Sequence, residues 1–140
     1  MTGWRIGYAA ARKEYTEQML KVHQYIQACA CSISQKAALA AIEGPQDCVS
    51  EMRESFRGRR DLLMEGLRDM GINCVKPEGA FYAFPEVEDE DAPQKLLARG
   101  VIVVPGTAFG KHGRGHIRIS YATSEENIKK ALGIMEKIFG

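Results

Sequence analysis

Between residues 116 and 121 apolar and polar side chains alternate, so Ile117, Ile119 and Tyr121 share one face of a strand and Arg118 and Ser120 the other. A guanidinium presented from a strand is a planar fork of donors, suited to gripping a carboxylate through two parallel hydrogen bonds. An arginine on the polar face of an amphipathic strand is by default only solvated, so the pattern nominates Arg118 without assigning it. Residues 110–115, GKHGRG, join glycine to basic side chains, a combination able to cradle a phosphate. They match no GxxxxGK[ST] pattern and no helix follows directly, so a connection between two strands is the better reading. Four cysteines at 29, 31, 48 and 74 and three histidines show no metal-ligand spacing, and reduced thiols with no metal site are expected.

Two stretches around Arg118, VVPGTAFG and HIRISYATSEENI, together with MTGWRIGY at the start and PEGAFYAF in the middle, resemble the class I aminotransferases. These are pyridoxal-phosphate enzymes of fold type I, and the likeness is to the C-terminal part of an aspartate aminotransferase-like member. The resemblance implies transfer of an amino group between an amino acid and a 2-oxo acid. It implies that Arg118 holds the substrate's α-carboxylate and that Arg5 contacts the cofactor phosphate. In the family the lysine that carries the cofactor lies shortly ahead of the methionine matching Met1, and no lysine here stands at that position. The chain alone is therefore expected to be inactive, its partner being an N-terminal cofactor domain. Lyases that use the same cofactor share these motifs, since a fold does not fix a reaction. The rival reading is a non-catalytic small domain that binds an organic anion or a partner protein.

Composition agrees with a soluble globular domain. The 140 residues are 45% hydrophobic and 26% charged, and nineteen basic side chains meet eighteen acidic ones. So balanced a charge makes nucleic acid and anionic membrane poor partners. No apolar run approaches the ~20 residues of a membrane span, and a cytoplasmic chain is expected.

The elements that must position these arginines follow from periodicity. Trp4, Ile6 and Tyr8 alternate with polar residues or glycine, which predicts a strand over residues 4–10. Tyr15, Met19, Val22 and Ile26 predict a helix over residues 14–28. Ser34 is expected to cap a second helix that ends at Gly44, and Pro45 to open a long third one closed by Gly71. Its arginines 53, 57, 59 and 60 suit a solvated face beside acidic neighbours. Residues 72–75 and 80–84 read as two strands joined through residues 76–79, with the aromatic residues of the second needed only for core packing. Asp91 and Pro93 start a short helix closed by Gly100, and residues 101–104 form another strand. Thr123 and Glu126 have capping-box spacing ahead of a last helix that buries Ile128, Leu132, Met135 and Phe139.

This order predicts a mixed α+β fold: a small sheet with helices packed on it, the aminotransferase small domain at residues 34–140. It would be preceded by a strand and helix of the large cofactor-binding domain at residues 1–33. The exposed apolar side chains of that leading segment suggest a homo-oligomer.

Overall fold

The computed structural model describes all 140 residues, which form two compact units, Met1–Cys48 and Val49–Gly140.

In the first unit, Thr2–Trp4 form a single 3-10 turn and residues 5–12 have no regular structure. The strand expected over residues 4–10 is therefore absent. A strand needs a neighbouring edge for its amide and carbonyl groups, and no segment of this chain pairs with these residues. Helix α1 (Lys13–Ile26) follows the expected periodicity, with Glu14 in its first turn and His23 in its last, both complementary to the helix dipole. Helix α2 (Ser32–Glu43) is capped by Cys31, not by Ser34. Ser34 lies inside the helix, buried, and its hydroxyl donates to the Trp4 carbonyl at 2.9 Å, tying the leading turn to α2. Nothing else in this unit reaches full burial, and Tyr8 and Tyr25 are 85% and 93% exposed.

Helix α3 (Asp47–Asp69) begins two residues later than Pro45 would have it. From Val49 onward it belongs to the second unit, where Leu63 and Leu67 enter the core while Val49 and Met52 stay exposed. Arg53, Arg57 and Arg60 lie beside Glu54 or Asp61, as in the 2.9 Å pair between Arg57 and Glu54, whereas Arg59 lies over the Phe56 ring at 5.2 Å. Gly71, at φ +72°, stops the helix in the left-handed conformation that glycine adopts without strain.

The sheet is small and antiparallel. Strand β1 (Tyr82–Ala83) and strand β2 (Val104–Pro105) flank the central strand β3 (Ile117–Ser120). Tyr82 pairs with Ser120 and Ala83 with Ile119 on one side; Val104 pairs with Arg118 and Pro105 with Ile117 on the other. The hairpin expected between residues 72–75 and 80–84 does not form: β1 pairs with β3 on one edge, and residues 72–75 enter no ladder with it. Residues 72–75 are irregular, tied to the chain after β1 by the Glu86 amide donating to the Asn73 carbonyl at 2.9 Å. Residues 101–103 likewise fall outside the ladder, which begins at Val104.

Helix α4 (Ala92–Leu97) is capped by Asp91 and stopped by Gly100 at φ +82°. Helix α5 (Glu125–Phe139) takes its cap one residue later than the spacing implied: Ser124 Oγ accepts from the Asn127 amide at 3.2 Å, while Thr123 Oγ1 accepts from Asn127 Nδ2 at 3.0 Å. Leu63, Leu67, Leu96, Ile117, Ile128 and Met135 form the centre of the core, each contributing about 1.5–3 kcal/mol by leaving water. Helices α3 and α5 approach closely where Gly66 meets Leu132, since a β-carbon on Gly66 would lie 2.6 Å from the leucine methyls.

Candidate functional site

The central strand divides its side chains as the alternation requires. Ile117 is 0% exposed and Tyr121 2%, both in the core, and Tyr121 is fixed further by its hydroxyl donating to the Ala80 carbonyl at 2.8 Å. Burial pushes the Tyr121 hydroxyl pKa upward. With these neighbours anchored inward, Arg118 must project from the opposite face, where it is half-buried.

Three aromatic side chains surround that face. Tyr82 stands diagonally across the β1–β3 ladder from Arg118, and its ring lies under the guanidinium carbon at 4.3 Å from the centroid. Phe109 reaches the same guanidinium from the 3-10 turn Gly106–Phe109 that follows β2, at 4.7 Å. Phe84 meets the Phe109 ring edge-on at 6.1 Å and stacks on the His116 imidazole at 5.0 Å. The His116 Nδ1 in turn lies 3.0 Å from the Arg114 carbonyl. The expectation that the aromatics of PEGAFYAF only pack the core is thus correct for Phe81 and not for Tyr82 or Phe84. The alternation around Ala83 carried that signal, since it sets Tyr82 and Phe84 on the face of Arg118.

Arg118 makes no hydrogen bond and no ion pair within the chain, and none of its nitrogens is sealed from solvent. The contrast with Arg114 is direct: that guanidinium is taken up by Glu90 at 2.6 and 3.3 Å, and the Glu90 carboxyl is held below its usual pKa range as a result. The Arg118 fork keeps its donors open while its charge is met only by rings. Its geometry has room for a planar acceptor approaching in the plane of the fork.

Residues 110–115 form the connection expected between two strands, built around a 3-10 turn over Lys111–Gly113. The amides of Gly110, Gly113 and His116 donate to the carbonyls of Thr107, Gly110 and Gly113, so part of its backbone is spent within the connection itself.

Arg5 belongs to the first unit. It follows the 3-10 turn in a left-handed conformation, φ 50° and ψ 48°, and its Nη1 donates weakly to the Thr2 carbonyl at 3.4 Å. For a residue with a β-carbon this backbone costs on the order of 1–3 kcal/mol. Gly3 and Gly7 flank it with open space where a β-carbon would stand, and the side chain has no acidic partner. An exposed guanidinium beside two uncrowded glycines fits a phosphate group, in charge and in room for approach.

The thiols are unpaired. Amides of Ser34 and Ile33 at the start of α2 lower the pKa of Cys31, and burial raises that of Cys74.

Residues 1–134 match the family model for aminotransferase class I and II, and the chain belongs to that family. It is 47% identical to a probable aspartate aminotransferase of Methanocaldococcus jannaschii, over 99% of this chain and 40% of that protein. Among solved structures, the aspartate aminotransferase of Thermus thermophilus with maleate superposes at a TM-score of 0.88 with 44% identity, over 99% of this chain and 38% of the other. An aromatic aminotransferase of Pyrococcus horikoshii gives 0.87 and 41%, over 99% and 39%. The chain therefore spans about 40% of the length of the curated relative from Methanocaldococcus. No helix is long and apolar enough to cross a membrane.

Proposed function

We propose that this chain is the C-terminal portion of a pyridoxal-phosphate-dependent aminotransferase that moves an amino group between an amino acid and a 2-oxo acid. The observation that carries the reading is Arg118: a half-buried guanidinium with no partner in its own chain, its donors open on the outer face of the sheet. It would hold the substrate's α-carboxylate by two parallel hydrogen bonds and thereby fix the orientation of the α-carbon. Arg5 would hold the cofactor phosphate by charge, with Gly3 and Gly7 leaving the approach open. The cofactor, when bound, supplies the electron sink for chemistry at the α-carbon. By the likeness to the family, the lysine that moves the proton would lie in the part of the enzyme that the 140 residues do not span, and these residues by themselves would not transfer the amino group. Residues 1–33 belong on this reading to the cofactor-binding domain and residues 34–140 to the small domain. The enzyme works in the cytoplasm as a homo-oligomer.

The test is Arg118→Lys in the complete enzyme. Lysine keeps the charge and loses the fork, so kcat/KM should fall by about 10- to 100-fold, the worth of one charge-assisted hydrogen bond, with cofactor retention unchanged. Arg5→Gln should instead weaken cofactor retention. Equal kcat/KM for Arg118→Lys and the parent overturns the assignment of Arg118.

A further inference from the structure

We infer that Tyr82 and Phe109 are positioning residues, a pair of rings that aims the Arg118 fork for carboxylate capture. The inference rests on the carboxylate role proposed for Arg118 and goes beyond it. An arginine side chain has four rotatable bonds, and one that projects from a strand with no hydrogen bond of its own would ordinarily sample many rotamers before meeting a ligand. Here the guanidinium carbon lies over two rings from two different elements, 4.3 Å from Tyr82 on β1 and 4.7 Å from Phe109 on the turn after β2. Attraction between a cation and a ring uses no N–H donor, so the rings restrain the group while its donors stay available. An acidic neighbour would restrain it too, but would occupy the same donors, as Glu90 does for Arg114.

Each ring is itself held. Tyr82 is in the ladder opposite Ser120 and touches the Phe81 ring at 4.5 Å. Phe109 is braced edge-on by Phe84, and its turn is tied to β3 by the Gly106 amide donating to the His116 carbonyl at 2.8 Å. Rings also keep water from part of the guanidinium, which strengthens a hydrogen bond made at its edge. A group that is already ordered loses less freedom on binding, so the gain should appear in ground state and transition state alike. That implies a raised KM with little change in kcat when a ring is removed.

Two measurements test this. In the 140-residue chain, the Arg118 side-chain NMR signals should show ring-current shifts and restricted motion. Tyr82→Leu and Phe109→Leu should each diminish both, and Tyr82→Phe should keep them. In the complete enzyme, the two leucine variants should raise KM for the 2-oxo acid by about fivefold each with kcat nearly unchanged, and Tyr82→Phe should match the parent. Both leucine sites lie on the outer face of the sheet or on the turn, and Phe109→Tyr provides a second ring-retaining control if either leucine variant proves unstable. If Arg118→Lys impairs the enzyme while the leucine variants leave KM unchanged, the clamp is overturned and the carboxylate role stands. If Arg118→Lys is harmless, the carboxylate role itself has failed. A Tyr82→Phe variant as impaired as Tyr82→Leu assigns the effect to the hydroxyl and also overturns the clamp.

Discussion

Gly106 and Gly113 meet backbone to backbone. A β-carbon on Gly106 would collide with the Gly113 carbonyl oxygen and stand 2.7 Å from that of His116, so neither residue type nor backbone path has slack at this point. The contact closes the base of the connection that delivers Phe109 to Arg118.

Gly106→Ala should therefore destabilise the chain by about 1–3 kcal/mol, the usual cost of forcing extra volume into a tight site. Gly133→Ala is the control, because nothing lies within 4 Å of its would-be β-carbon and it sits inside α5. Alanine there should stabilise by roughly 0.5–1 kcal/mol through helix propensity. Thermal unfolding of the two variants should shift in opposite directions. A Gly106→Ala midpoint equal to that of the parent would show that the connection yields.

Acid stability should depend on Asp61. Hydrogen bonds from Arg60 and Lys76, each at 2.8–2.9 Å, lower its pKa from 3.8 to about 2. A folded-state pKa below the unfolded one adds stability that is full above the unfolded value and is lost as pH falls through the folded one. The contribution should accordingly be present above pH 3.8 and disappear as pH falls toward about 2. Urea midpoints measured from pH 7 downward should lie lower for Asp61→Asn than for the parent and converge near pH 2. Parallel curves throughout that range would mean that the pair is too well screened to matter.

The first unit should drive self-association. Tyr8 and Tyr25 are 85% and 93% exposed, and Ile26 is 76% exposed on the same short segment. So much bare apolar surface in a unit whose single buried residue is Ser34 favours burial against another copy. Light scattering on the chain, compared with a version starting at Ser34, should report a larger species for the longer one. Equal masses at high concentration exclude the leading segment as the cause.

What the sequence made legible depended on whether an element's bonding partners lie within the element. The helices α1, α3 and α5 were readable because an amphipathic helix satisfies its own backbone and announces its apolar face every third or fourth residue, although in α1 that face stays exposed. Strand β3 was readable because Ile117, Ile119 and Tyr121 point to the core, and that alternation also set Arg118 on the outer face. The misread strands fail for one reason. Residues 4–10 and 72–75 have the right residue types but enter no ladder, which alternation alone does not report. The aromatic surround of Arg118 was half visible: the parity of Tyr82 followed from Ala83, whereas Phe109 arrives through a turn whose path depends on the Gly106–Gly113 contact.

The parity of β3 also limits how this protein can vary in length. A slip of one residue against its neighbours would turn Ile117 and Ile119 to solvent and drive a guanidinium among Leu63, Leu67 and Met135. An out-of-phase chain would thus fail to fold before it could present an altered site, and an even-numbered slip would still break the Gly106 amide's bond to His116. Insertions and deletions are then tolerated only where no hydrogen bond sets the phase of β3, as at exposed Lys111 and His112. The pairing of Pro105 with Ile117 pins both ends of that connection to the strand bearing Arg118, so a change of length there loops out between fixed ends.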